Sequence, residues 1–179
     1  MKSKVFSLVI LIALSVSARA AEPFSMGPVI KDFGPTYNEV VQTHPLKGDE
    51  HFKVAFDVGS QGDQEAENRQ FASLARFLNM HVKAGVPLKN IQLALVVHGK
   101  ASFDLLSNSA YDEKYLTTNP NVPLLQALMQ AGVQVAVCAQ SAGFLGIKNE
   151  DLLPGVEVAL SAMTKHALLQ QQGYTLNPF

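Results

Sequence analysis

The chain is expected to fold as an α/β domain whose mostly parallel sheet carries helices on both faces. Three observations predict this. Apolar runs of strand length recur at residues 52–58, 91–97 and 133–137. Segments of helical period fill the gaps between them, and glycines and prolines stand at the joins. Strands that alternate with helices imply right-handed crossovers, and hence parallel pairing.

The elements follow in order. Lys2 and Lys4 precede an apolar run at 5–14, and Ala18-Arg19-Ala20 supplies a small-residue site. That is the layout of a secretory signal peptide, with cleavage expected after Ala20. The run falls short of the about 20 apolar residues needed to span a bilayer, so residues 1–20 are read as a signal peptide and not as an anchor. The product is expected to be periplasmic or secreted, free of the membrane once cleaved. Residues 21–50 hold Pro23, Pro28, Pro35 and Pro45 with Gly27, Gly34 and Gly48 and no sustained period, which reads as an irregular arm. Residues 51–179 are left for the α/β domain.

In that domain the first strand, 52–58, ends in Gly59-Ser60-Gln61-Gly62-Asp63. Phe71, Leu74, Ala75, Leu78 and Val82 then fall at helical spacing, with Asp63 as the expected cap and Lys83, Gly85 and Pro87 as the stop. The run 91–97 is apolar at nearly every position, as suits a strand covered on both faces, and leads into His98-Gly99. Residues 100–121 support two short helical pieces, around 103–106 and 111–116. Asn121 and Pro123 open a helix at 122–131, closed by Gly132. The strand at 133–137 delivers Cys138 to its carboxyl end. Gln140 and Ser141 read as the turn into a helix that runs through 144–147. Residues 156–159 give a short fourth strand, Ser161 caps a helix at 162–172, and Tyr174-Thr175-Leu176 adds a last strand.

Composition narrows the function. The 14 basic residues face 15 acidic ones, and loss of Lys2, Lys4 and Arg19 with the signal peptide leaves the product mildly acidic. Nucleic acid and anionic membranes call for clustered Lys and Arg, so neither is expected as a partner. With 47% hydrophobic residues in 179, the chain has a sizeable core for one domain.

In parallel sheets chemistry gathers at the carboxyl ends of the strands, which here carry Asp57 to Gln61, His98-Gly99, and Cys138 to Ser141. Cys138 is the only cysteine, and in an oxidising compartment it is buried and inert, paired to another molecule, or kept for chemistry. A thiol at a helix start faces unpaired N–H groups that favour the thiolate. The alternative is a small hydrophobe packed in a strand. His98 suits proton exchange, thiolate stabilisation or metal ligation, or else a plain hydrogen bond to a carbonyl. Asp57, Gly99, Gln140 and Ser141 are the candidate ligand-binding residues. The loop after Asp57 has neither the spacing nor the Lys of a phosphate loop and reads as a strand-to-helix turn. Asn68 and Arg69 read as solvated surface. His98, Cys138 and His166 lack ligand spacing, so no metal and no cofactor are expected. Hydrolase motifs such as Gly-x-Ser-x-Gly are absent from the sequence.

Taken in order, Val96-Val97-His98-Gly99, Val135-Ala136-Val137-Cys138-Ala139-Gln140-Ser141, Asp151-Leu152-Leu153-Pro154-Gly155-Val156 and Gln170-Gln171-Gln172-Gly173-Tyr174 resemble the DsrE/DsrF-like family, over residues 50–179. The resemblance implies a three-layer α/β/α sandwich, with a mostly parallel sheet of about five strands, that commonly assembles into trimers or hexamers. It also implies sulfur relay, in which Cys138 takes up sulfane sulfur as a persulfide and exchanges it with a donor or acceptor protein; His98, from the adjacent strand end, is expected to tune the thiol. The alternative is a non-enzymatic module, either binding a small ligand beneath His98 and Gly99 or acting as a structural oligomer, with Cys138 as packing.

Overall fold

The computed structural model describes residues 22–177. The expected signal peptide, residues 1–20, lies outside the described residues. In the arm, β1 (Phe24–Ser25) and β2 (Thr36–Tyr37) pair antiparallel, and the rest of residues 22–50 is irregular. This segment lies over α1 (Arg69–Lys83), held by the buried side chain of Asn79 and by Arg76 and Lys83.

The remaining strands are β3 (Phe52–Val58), β4 (Ile91–Val97), β5 (Gln134–Cys138), β6 (Glu157–Ala159) and β7 (Thr175–Asn177). They form one five-stranded sheet in the order β6-β5-β4-β3-β7, with every pair parallel. Side chains alternate across a strand, so each parallel register sorts residues onto two faces. Val54, Phe56 and Val58, with Leu93, Leu95, Val97, Val135 and Val137, share one face and join the main core with α1 and α3 (Val122–Gln130). Ala55, Ala94 and Val96 point the other way, to a smaller cluster with Leu169 and Tyr174. That second face is covered by α5 (Ala162–Gln171), which crosses it as the chain returns from β6 at one edge to β7 at the other. The result is the expected α/β architecture of three layers.

Between β4 and α3 the chain forms a 3-10 helix at Gly99–Leu105 and then α2 (Asn108–Tyr115). Ala101, Leu105 and Tyr111 are wholly buried, so this segment is part of the core. After β5, α4 (Ala139–Phe144) starts directly at Cys138 and ends earlier than the sequence predicts. Gly146, at φ 72°, turns the chain out, and the Ile147 N–H closes back on the Ala142 carbonyl at 2.9 Å.

Helix α1 corrects two expectations. Its cap is Asn68, whose side-chain oxygen accepts from the Gln70 N–H at 2.9 Å, while Asp63 accepts from Glu65 N–H in the preceding loop. Nor is Asn68 solvated, for it is 3% exposed. Its amide donates to Asp104 Oδ2 at 2.8 Å and to the Ser60 carbonyl at 3.0 Å, and the Gly62 N–H also donates to Asp104 Oδ2. The 60–68 loop is thus fastened by a buried carboxylate.

That carboxylate has a measurable consequence. Burial pushes the Asp104 pKa up, and the bonds from Asn68 and Gly62 offset this only in part. Its Oδ1 and the hydroxyl of Ser102 are buried without a partner among the described residues. A carboxyl with a raised folded pKa contributes stability that is full below its unfolded pKa and is lost as pH rises through the folded one. Asp104→Asn, neutral throughout, is therefore expected to flatten the fall in melting temperature between the ordinary carboxylate range and neutral pH. Parallel curves for the two proteins would show that Asp104 ionises without cost.

Candidate functional site

The registers place the site before any side chain is considered. Asp57 pairs with Val96 and Val97 with Val137, so His98 and Cys138 stand side by side one residue beyond the last β4–β5 pair. By alternation, Asp57, His98 and Cys138 fall on the face of Ala55, Ala94 and Val96, the face crossed by α5. Helix α5 begins at Ser161, whose hydroxyl accepts from the Thr164 N–H at 3.0 Å, and its first turns bring His166 over the same strand ends. A cleft of about 420 Å³ results, lined by Asp57, His98, Cys138, Ser141, Met163 and His166 among others.

Cys138 is 5% exposed yet forms part of the cleft wall. Burial alone would push its thiol pKa up. The Ser141 N–H and hydroxyl, with the backbone amides of Ala162 and Gln140, outweigh burial together and bring the pKa below the ordinary thiol value. Ser141 is oriented for this task because the Gly99 N–H donates to its Oγ at 2.9 Å, which leaves the hydroxyl proton for sulfur. Gly99 thus acts through Ser141 and is not itself in the wall. Gln140 is exposed, and its side-chain amide donates to the Leu160 carbonyl at 3.3 Å.

His98 directs Nε2 to Asp57 Oδ2 at 3.2 Å, and His166 directs Nε2 to Asp57 Oδ1 at 2.8 Å. One carboxylate therefore holds two imidazoles at the cleft. His98 also lies flat against the backbone of Gly59, where a Cβ would fall 2.6 Å from its Cε1 atom. His166, Gly59 and the wall residue Met163 are additions to the set read from the sequence. The signal for Gly59 was its place directly after the strand that carries Asp57, since close approach to a backbone is a reason for glycine. Met163, in the cleft wall, is exposed.

Removal of the Ser141 hydroxyl isolates its share of the thiol's acidity. The hydroxyl is one of the groups that lower the thiol pKa, so Ser141→Ala is expected to raise it. Alkylation by iodoacetamide below that pKa should slow severalfold. An unchanged rate–pH curve would assign the acidity to the backbone amides alone.

Three comparisons complete the site. Residues 53–178 match the model of the DsrE/DsrF-like family. Among solved structures, a protein of unknown function from Methanobacterium thermoautotrophicum, MTH1491, superposes with a TM-score of 0.53 at 16% identity, over 72% of this chain and 99% of that one. At that identity the likeness is one of fold. No curated protein matches the chain.

Proposed function

The chain belongs to the DsrE/DsrF-like family, and from that premise we propose that it is an exported sulfur carrier in which Cys138 holds sulfane sulfur as a persulfide. One observation carries this reading: a solitary thiol in the wall of an open cleft, at the start of α4 and beside Ser141. The thiolate is the nucleophile in sulfur exchange. It attacks the sulfane sulfur of a donor, the donor's S–S bond breaks, and a donor thiolate leaves as the Cys138 persulfide forms. No external oxidant or reductant enters. A second thiolate, on an acceptor protein, then removes the outer sulfur by the same exchange.

The same reading takes the mature chain to begin at Ala21, to reside in the periplasm or outside the cell, and to work as a homo-oligomer, a trimer or hexamer. Amino-terminal sequencing of the exported protein and light scattering of the purified one test those two parts. The central test is mass spectrometry after exposure to inorganic polysulfide. Cys138 should gain about 32 Da, one sulfur atom, in a form that dithiothreitol removes. Cys138→Ser should gain nothing. A wild-type thiol that stays unmodified by every sulfane donor would leave Cys138 as packing and favour a ligand-binding module.

A further inference from the structure

We infer that the sulfur donor is a small organic hydropersulfide, R–S–S–H, whose proton is carried to its leaving sulfur by the Asp57-held imidazole of His98. This rests on the carrier reading of Cys138 and names the donor chemistry that the same cleft accepts.

None of the described residues lining the cleft is Lys or Arg, and Lys165, beside His166, is paired with Glu157 at 2.6 Å. An inorganic dianion such as thiosulfate would lose hydration beside the carboxylate of Asp57 without a fixed cation to replace the lost water. Ala162, Met163 and Leu176 form an apolar wall instead, and about 420 Å³ leaves room for a donor with an aliphatic body.

When Cys138 thiolate attacks the outer sulfur of R–S–S–H, the S–S bond breaks, the Cys138 persulfide retains the S–H hydrogen, and R–S⁻ departs. The persulfide then gives up that proton, and R–S⁻ takes one to leave as R–S–H. The sum is Cys138-S⁻ plus R–S–S–H going to Cys138-S–S⁻ plus R–S–H, balanced in atoms and charge. One proton moves between two sulfurs, so a group that both accepts and donates is needed. Such a group is present. A carboxylate only accepts hydrogen bonds, so Asp57 fixes Nε2–H on both imidazoles and leaves Nδ1 of the part-exposed His98 as the exchanging nitrogen. The Nδ1 of His166 is buried, so His166 holds Asp57 in place and does not itself meet the donor. Thiosulfate needs no such relay, because sulfite leaves unprotonated.

The experiment measures Cys138 persulfidation by cysteine hydropersulfide and by thiosulfate across pH, each rate divided by that of N-acetylcysteine with the same donor. Wild type should favour the hydropersulfide by at least about tenfold after this correction, and Asp57→Asn should lower that rate by about 10²-fold while raising the thiosulfate rate. A structural role for Asp57 would instead move both donors together. Equal or better use of thiosulfate by wild type overturns the inference and leaves the carrier reading standing. So does an Asp57→Asn protein with the wild-type pH profile. Absence of adduct with every donor, inorganic polysulfide included, removes both readings. Because the wild-type donor ratio needs no variant, poor folding of Asp57→Asn would not shield the inference.

Discussion

Asn79→Ala is expected to lower stability by about 3–5 kcal/mol and to release the arm from α1. Asn79 is wholly buried, and both ends of its amide are used. Its Oδ1 accepts from the N–H groups of Val29 and Ile30 at 3.0 and 2.9 Å. Its Nδ2 lies 3.0, 3.0 and 3.1 Å from the carbonyls of Ile30, Phe33 and Gly34. Alanine would leave backbone groups unpaired under cover, and each such group costs about 1–3 kcal/mol unless the segment moves out to water. Undocking limits the loss, but it exposes Ile30, now 4% exposed, and so forfeits apolar burial as well. In a domain of this size the melting temperature should fall by roughly 10 °C, and limited proteolysis should cut within residues 22–50 while sparing the sheet. Asn79→Asp provides the control. It keeps the acceptor but sets a carboxylate against three carbonyls, so its defect should ease on acidification as the carboxyl gains a proton to donate. A variant that melts like wild type and resists protease would mean that the arm docks without Asn79, through apolar contacts and the bonds from Arg76 and Lys83.

The same helix shows what the sequence reveals and what it hides. The apolar positions of α1 and the strands β3 and β4 were legible because burial writes itself as period: 3.6 for a helix with one covered face, and continuous for a strand with two. The start of α1 was not legible. Residues 60–68 are held by Gly62 to Asp104, 42 residues on, and by the Asn68 N–H to Asn121, 53 residues on, and no local pattern registers such partners. Asp63 follows the strand-end glycines directly and was read as the cap, although Asn68, also a capping type, stands nearer the first apolar position, Phe71. The strand-end residues Asp57, His98 and Cys138 followed from topology alone, since parallel strands end on one side. His166 did not, because α5 buries only Leu169 completely and carries no apolar stripe to say which face meets the sheet. Its bond to Asp57 spans 109 residues.

Gly59→Ala is expected to cripple sulfur transfer while leaving both the fold and the thiol nearly unchanged. The added Cβ would lie 2.6, 3.0 and 3.1 Å from three atoms of the His98 ring, closer than side chains approach. Something must yield. The backbone is pinned by the His98 N–H to the Val58 carbonyl at 2.9 Å and the Ala101 N–H to the Gly59 carbonyl at 3.3 Å, whereas the imidazole is 38% exposed and free to rotate outward. An off-rotamer adjustment at a half-exposed position costs only about 0.5–1.5 kcal/mol, so melting should change by a few degrees. The imidazole, however, leaves Asp57, and the proton relay loses its exchanging group. Persulfidation by cysteine hydropersulfide should drop by about tenfold or more, as for a displaced general acid–base. Iodoacetamide labelling of Cys138 separates two roles for His98. The thiol is supported by Ser141 and the amides of Ala162 and Gln140, none of which touches Gly59, so its labelling rate should hold. If labelling slows in step with sulfur transfer, His98 acts on the thiol itself, and the proton relay through Asp57 falls.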